Sequence, residues 1–368
     1  MNLRPIHIQT ILPMVRAHIP ATAFVGGFCF DLATLGRIDS YTNFFIHGFW
    51  LTLSGLLLTL TLLAKSEWAH TGSNLRKTLG QIFIKHDQFI FHFALGALLS
   101  AFTIFYFKSS SAAVSILFLG LLVTLLILNE LKRFQNLGPF IRCVLYQIAL
   151  LTFATYLIPI LMGSVSYTVF GLSVGLSAAI AISLAWILKK LECPAETFRR
   201  HYLRPTLLAF GTFLLLYISN AIPPIPLSTQ HIGIYHDVSV KPAGYVLKQH
   251  SQSLSMLPFA DDIFPARPGD RLYVFTRIFA PRRFSDAIYL RWEKQNPTGK
   301  WETTDKIKMN IRGGREMGYR GYGYKEHYSP GPWRVFVETQ DGREVGSISF
   351  EVQQDASTDT REFESLQH

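Results

Sequence analysis

Four ionisable residues lie at one end of the first two apolar stretches of this chain: Asp31, Arg37, Asp39 and His47. We call them the polar membrane cluster. Ionisable groups at membrane depth are costly unless they are paired or hydrated, so they mark sites of ligand binding, proton transfer or catalysis. The alternative is that Asp31 pairs with Arg37 or His47 and only ties two helices together.

A second candidate site lies near the C-terminal end, in a segment that is glycine-rich, aromatic and basic. Its residues are Tyr319, Arg320, Tyr322, Tyr324 and Lys325, which we call the strand patch. Alternate residues of an extended strand share a face, so this spacing predicts a binding surface for a glycan, a lipid headgroup or a protein partner. The alternative is an ordinary edge strand with exposed tyrosines.

Recognised catalytic motifs are lacking in the sequence. It has no HExxH string and no His or Cys pair with ligand spacing inside an apolar stretch, so we predict no metal and no cofactor. The string GLSVG at 171–175 resembles the nucleophile elbow of hydrolases. It lies in an apolar helical stretch with no strand before it, which excludes that interpretation. The sequence leaves open whether the protein is an enzyme.

The elements that must position the polar membrane cluster are long and apolar. The chain is 49% hydrophobic and 16% charged, whereas a soluble domain has about 25% charged residues. A helix needs about 20 mainly apolar residues to cross about 30 Å of hydrocarbon. Seven stretches qualify, at roughly 19–38, 44–64, 89–107, 112–129, 141–161, 167–188 and 206–222. Residues 1–222 are therefore predicted to form an α-helical polytopic membrane bundle of seven transmembrane helices, the first being a retained signal anchor.

The positive charge of the chain is a signal of membrane topology. The net charge is +10, yet residues 223–368 are nearly neutral, with 19 Lys and Arg against 18 Asp and Glu. Nucleic acid is therefore not predicted as a partner. In residues 1–222, one set of alternate segments carries 14 Lys and Arg and the other set carries two, Arg37 and Lys108. Because basic residues concentrate in cytoplasmic loops, we expect the N-terminus inside and the C-terminal domain outside.

The sixth stretch carries a ridge of small residues. Gly171, Gly175, Ala179 and Ser183 recur at intervals of four. Such a ridge lets another helix approach closely. We expect it to be a packing surface through which an oligomer can form in the bilayer.

The C-terminal residues are predicted to form an all-β immunoglobulin-like sandwich. Segments such as RLYVFTRIF and DAIYLRWEKQ alternate and are separated by turn residues, and they repeat every 8–12 residues. We expect a linker with the first strands at 223–267, the β-sandwich at 268–354 and a flexible tail at 355–368. Trp292 and Trp333 lie in alternating strands, where core packing is favoured over ligand stacking.

These segments resemble a known family. The strings are KIKMNIRGGREMGYRGYGYK and PGPWRVFVETQDGREVGSISFEV, with a Pro-Gly-x-Trp-Arg-Val motif, and GFCFDLATLGRID in the N-terminal half. They are similar to bacterial polytopic inner-membrane proteins that end in a β-sandwich domain of unknown function. The resemblance implies a bacterial inner (cytoplasmic) membrane protein with a periplasmic C-terminal domain. It implies no activity and no functional residues.

Two functions are compatible with these features. The first is an integral inner-membrane protein that presents its β domain for ligand or partner binding, in envelope sensing, scaffolding or assembly. The second is a membrane-embedded enzyme or transporter that acts near the outer leaflet through the polar membrane cluster. A hydrated groove lined by that cluster would favour the second function, and a dry, close-packed bundle would favour the first.

Overall fold

The computed structural model describes residues 35–367 apart from 37, 64–73, 110–115, 243, 251–261, 283, 313–317 and 358. For 74–86, 130, 135, 262 and 310–312 it describes the backbone only. The first predicted stretch, with Asp31, and Arg37 therefore lie outside the described residues.

The described part of residues 1–222 is helical. Its helices are α1 Tyr41–Leu63, α2 Asn74–Lys108, α3 Ile116–Glu130, α4 Lys132–Gln135, α5 Pro139–Met162, α6 Tyr167–Lys190, α7 Ala195–Phe198 and α8 Arg204–Ile218. A π-helical turn, Arg199–Leu203, joins α7 directly to α8. Every predicted apolar stretch after the first thus coincides with a helix.

Four of these helical segments are long and apolar enough to cross a membrane: Tyr41–Leu63, Asp87–Lys108, Pro139–Met162 and Tyr167–Lys190. Helix α3 has 15 residues, and α8 has 15 residues after the unbroken helical segment 195–203. At 1.5 Å per residue, 15 residues are about 22 Å long, which is shorter than the hydrocarbon layer of about 30 Å. The count of seven spans therefore remains a prediction.

The chain divides into two compact units. The first contains residues 1–107, 116–157 and 172–221, and the second contains 108–115, 158–171 and 222–368. The C-terminal unit thus begins its longest segment at residue 222, and it also includes two segments that connect helices. Within that unit the Ser285 amide donates to the Gly163 carbonyl at 2.9 Å, and Val165 lies in the hydrophobic core.

The C-terminal unit contains eleven described strands: β1 Ser228–Tyr235, β2 Asp237–Lys241, β3 Gly244–His250, β4 Asp262–Ala266, β5 Leu272–Phe279, β6 Ser285–Gln295, β7 Trp301–Arg312, β8 Tyr319–Lys325, β9 Gly331–Thr339, β10 Glu344–Gln354 and β11 Phe363–Gln367. They form three sheets, with the orders β4-β10-β9-β6-β7, β1-β5-β8 and β11-β3-β2.

The main core lies between the five-stranded sheet and the β1-β5-β8 sheet. Leu272, Val274 and Ile278 of β5 contribute to it together with residues of β6, β9 and β10. Trp292 and Trp333 belong to the same core, as predicted. The intervening residues of β5, Tyr273 and Phe275, belong to a second cluster with residues of β2 and β3. Strand β5 is therefore buried on both faces.

The sequence patterns did not predict two of the strands, β4 and β11. Strand β4 pairs in parallel with β10 at the edge of its sheet. It contains Pro265, and proline is tolerated in edge strands because one side of such a strand needs no ladder hydrogen bonds.

The prediction that residues 355–368 form a flexible tail was wrong for much of this segment. Residues Phe363–Gln367 form β11, which pairs antiparallel with β3. Arg361 forms an ion pair with Asp270 at 2.8 Å, and Arg267 forms one with Asp355 at 2.6 Å. The polar composition that suggested disorder instead supplies the charges that hold the segment in place.

Candidate functional site

Of the polar membrane cluster, the structure describes Asp39 and His47. Asp39 lies in a turn just before α1. His47 is only 4% exposed, and its Nδ1 forms a hydrogen bond of 3.0 Å with the Tyr156 hydroxyl of α5. The rings of Phe102 and Phe105 of α2 pack edge-on against it at 5.6 and 5.9 Å. These contacts give His47 a role in packing α1 against α2 and α5.

Two further polar contacts between helices were not anticipated. Arg142 of α5 donates to Asp87 of α2 at 2.6 Å and to Thr61 of α1 at 3.0 Å. These contacts give Arg142 a structural role inside the helix packing.

The second contact joins α2 to α3. Nδ1 of His92 lies 2.7 Å from Oδ1 of Asn129, whose Nδ2 donates to the His92 carbonyl at 2.9 Å. Buried polar groups need hydrogen-bond partners, so this reciprocal pairing explains both residues.

The strand patch is divided between the two faces of β8. Tyr319 packs against the main core. Lys325, on the same face, forms an ion pair with Asp305 of β7. The hydrogen bond from Lys325 lowers the pKa of the Asp305 carboxyl below its usual value. These two residues therefore have structural roles.

The other three residues of the patch, Arg320, Tyr322 and Tyr324, lie on the opposite face of β8. They extend rows that run across all three strands of the sheet. In the strand register these rows are Tyr235–Tyr273–Tyr324, Gly233–Phe275–Tyr322 and His231–Arg277–Arg320. This face of the sheet therefore carries two parallel rows that contain aromatic residues and, next to them, one row of basic residues.

The aromatic rows are partly covered by Tyr245 of β3. Its ring lies 5.3 Å from that of Phe275 and 6.2 Å from that of Tyr322. Tyr273 is 9% exposed, whereas Tyr324 is 46% exposed and lies under the guanidinium of Arg271 at 5.1 Å. The accessible part of this face is therefore its margin at β8.

The outer face of the five-stranded sheet carries a charged ladder. Glu338 accepts from Arg291 at 2.8 Å and from Lys306 at 2.7 Å. Glu293 accepts from Arg334 at 2.5 Å. The ladder was missed by sequence reasoning, although its signal is the alternation of charges along β6 and β9. Its charges are mutually paired, so it stabilises the sheet.

Among the described residues, the two glycines of the small-residue ridge on α6 do not contact another helix. Apart from the backbone of α6 itself, no described atom lies within 4 Å of a Cβ built on Gly171 or Gly175. Ser173 and Ser177 are buried instead. The ridge and the packed face therefore lie on different sides of the helix.

Within the described residues, no group of three or more His, Cys, Asp or Glu side chains could hold a metal ion.

Residues 285–352, from β6 into β10, match the model of a family described as a protein of unknown function, DUF2914. This supports a C-terminal β domain of unknown function. No curated protein shows significant similarity to the chain.

The solved structures with partial similarity include three bacterial proteins. An immunoglobulin-like protein of Pseudomonas aeruginosa is 16% identical, with a TM-score of 0.21, over 34% of this chain and 96% of that one. A β-glucosidase of Listeria innocua is 13% identical, with a TM-score of 0.17, over 33% and 16% of the two chains. An alkylpurine DNA glycosylase of Pseudomonas fluorescens is 12% identical, with a TM-score of 0.23, over 75% and 74%.

Proposed function

We propose that this protein is an integral membrane protein of the bacterial inner membrane that holds an immunoglobulin-like β domain at the periplasmic surface for ligand or partner binding. The observation that carries the proposal is which segments of the chain form the second compact unit. It combines the β domain with residues 108–115 and 158–171, which connect apolar helices.

This grouping supports a path of the chain through the bilayer in which all segments of the second unit lie on the same side. Helices α3 and α5 lie between the two connecting segments, and α6 and the α7–α8 segment lie between 158–171 and the β domain. An even number of crossings separates positions on the same side of a membrane. Residues 108, 158–171 and 222 are all on the predicted outer side, in agreement with the distribution of Lys and Arg.

The β domain is the part that we expect to bind. The face of the β1-β5-β8 sheet ends in a margin formed by Arg320 and the exposed Tyr324. Arginine and tyrosine are favoured at binding surfaces because each combines a flat apolar body with hydrogen-bond donors. A glycan, a lipid or a protein segment is the expected kind of ligand.

The alternative, a membrane-embedded enzyme or transporter, has less support. It relies on His47, which is enclosed by Phe102, Phe105 and Tyr156. This dry environment is that of a packing residue.

Cysteine labelling of intact spheroplasts tests the proposed topology. In a background without native cysteines, an impermeant maleimide should label Met162→Cys but not Lys132→Cys until the cells are opened. Both positions are exposed, so accessibility to the reagent is matched. Labelling of Lys132→Cys alone in intact spheroplasts would refute the placement. A reporter fused at His368 that is active only in the cytoplasm would do the same.

A further inference from the structure

A row of basic residues crosses the β1-β5-β8 sheet close to the start of β1. In register, His231 of β1 faces Arg277 of β5, and Arg277 faces Arg320 of β8. Residues directly opposite each other on neighbouring antiparallel strands share a face, with Cβ atoms about 4.5–5.5 Å apart. The row therefore spans two strand spacings, about 10 Å.

The two arginines of this row lack the carboxylate partners that six other arginines of the β domain have. Six other arginines of the β domain form ion pairs with carboxylates: Arg267, Arg271, Arg291, Arg334, Arg343 and Arg361. Within the described part of the chain, Arg277 and Arg320 form none. The Nε atoms of both are buried and have no hydrogen-bond partner.

This arrangement has an energetic consequence. Like charges directly opposite each other in a sheet are destabilising, and buried donors without partners add to the cost. A bound anion would relieve the repulsion because it neutralises the charges, and it would offer an acceptor to the guanidinium N–H groups.

The chemistry of the row selects the class of anion. Guanidinium groups are planar forks that match the oxygen geometry of phosphate. Tyr245 restricts Arg320, since its ring lies 5.7 Å from the Arg320 Cζ and its hydroxyl donates to the Arg320 carbonyl at 3.4 Å. His231, whose Nε2 lies 2.8 Å from the Tyr235 hydroxyl, closes the row at its other end.

The strand that carries His231 begins with a contact to Lys108, which belongs to the same compact unit. The Ser228 hydroxyl at the start of β1 donates to the carbonyl of Lys108, the last residue of α2. His231 follows three residues later, about 10 Å along the strand. With the β domain placed at the membrane surface as proposed above, lipid headgroups would present phosphate groups to it.

We propose that Arg277 and Arg320, with His231, form a binding site for a phosphate group, carried either by a lipid headgroup or by a soluble phosphate compound. The inference rests on the proposed function for the placement of the β domain at the membrane. The site itself rests on the strand register and the missing carboxylates.

Thermal unfolding of the full-length protein in lipid nanodiscs tests the site. The probes are pyrophosphate, compared with chloride at equal ionic strength, and nanodiscs of phosphatidylglycerol, compared with nanodiscs of digalactosyldiacylglycerol, a lipid without a phosphate group. The variants are Arg277→Gln and Arg320→Gln. The control is Arg282→Gln, which removes an exposed arginine of the same domain outside the row.

At least one probe should raise the Tm of the wild type and of the control, and the dissociation constant should increase at least tenfold in either row variant. Without phosphate, the row variants should be as stable as the wild type or more stable, because a repulsion is relieved; a merely structural arginine would give the opposite result. Arg277→Lys and Arg320→Lys keep the charge but lose the planar fork, so they should bind with intermediate affinity.

A response to pyrophosphate alone identifies a soluble phosphate compound, and a response to phosphatidylglycerol assigns the site to a lipid headgroup. The proposal is wrong if neither probe raises the Tm of the wild type, or if both row variants respond as strongly as the control. Nanodiscs expose both membrane faces, so this outcome is independent of the labelling experiment on topology.

Discussion

Arg142 of α5 and Asp87 of α2 form an ion pair of 2.6 Å inside the helix packing, where their side chains are 8% and 22% exposed. Two charges removed from water at this depth are stable only as a pair. Thr61 of α1 also accepts from Arg142, so one guanidinium connects three helices.

Replacing one partner should therefore be costly. Asp87→Asn leaves the Arg142 charge without its counterion and should lower the free energy of unfolding by about 2–3 kcal/mol. Denaturant titration in detergent micelles measures this. Glu196→Gln, the same type of change at an exposed position, should stay within about 0.5 kcal/mol of the wild type. Equal midpoints for the two variants would show that the pair contributes nothing to stability.

The hydrogen bond between His47 and Tyr156 gives a second test. If His47 is a packing residue, a double-mutant cycle with His47→Phe and Tyr156→Phe should give a coupling energy of about 1 kcal/mol. The same micellar unfolding assay provides the four stabilities. Additive losses would mean that the hydrogen bond does not tie the two helices, and the interpretation of His47 as a packing residue would lose its support.

The aromatic face of the β1-β5-β8 sheet predicts different roles for neighbouring tyrosines. Tyr322 packs against Tyr245 and Tyr273, so Tyr322→Ala should destabilise the β domain by about 2–3 kcal/mol. Tyr324 is 46% exposed, and Tyr324→Ala should cost about 1 kcal/mol or less, mainly the stacking of Arg271. Thermal unfolding in nanodiscs compares them. Equal losses would contradict the burial pattern.

The C-terminal segment should respond to acid. Hydrogen bonds from Ser357, and then from Arg267, hold the pKa of the Asp355 carboxyl well below its usual value. A group whose pKa is lowered by folding stabilises the folded form above its unfolded pKa, about 3.9 for Asp. This stability is lost as the pH falls from there through the lower folded pKa. Residues 355–367 should therefore be held at neutral pH and released in strong acid.

A spin label at Ser365→Cys, with the native cysteines replaced, reports this release by electron paramagnetic resonance. Asp355→Asn should mobilise the label already at neutral pH, whereas Asp359→Asn, an exposed neighbour, should not. An immobile label in Asp355→Asn would show that β11 is held by its pairing with β3 alone.

The element pattern was largely predictable from the sequence, for local reasons. The apolar stretches after the first became helices because each is long and apolar, and segments such as RLYVFTRIF became strands because they alternate or are bounded by turn residues. Strands β4 and β11 were not predictable, since one contains Pro265 and the other is polar. Each is stabilised by partners that are distant in sequence, β10 and β3.

The sequence alone determined the class of the molecule: apolar helices followed by a β-rich region, with most Lys and Arg of residues 1–222 in one set of alternate segments. Composition and hydrophobic periodicity are local properties, so they need no knowledge of the fold. Only the tertiary structure decided what the charged and aromatic residues contact. The strand register placed Arg320 opposite Arg277, which lies 43 residues away in the chain. Strand pairing sets such neighbours by distance in space, and no local pattern contains that information.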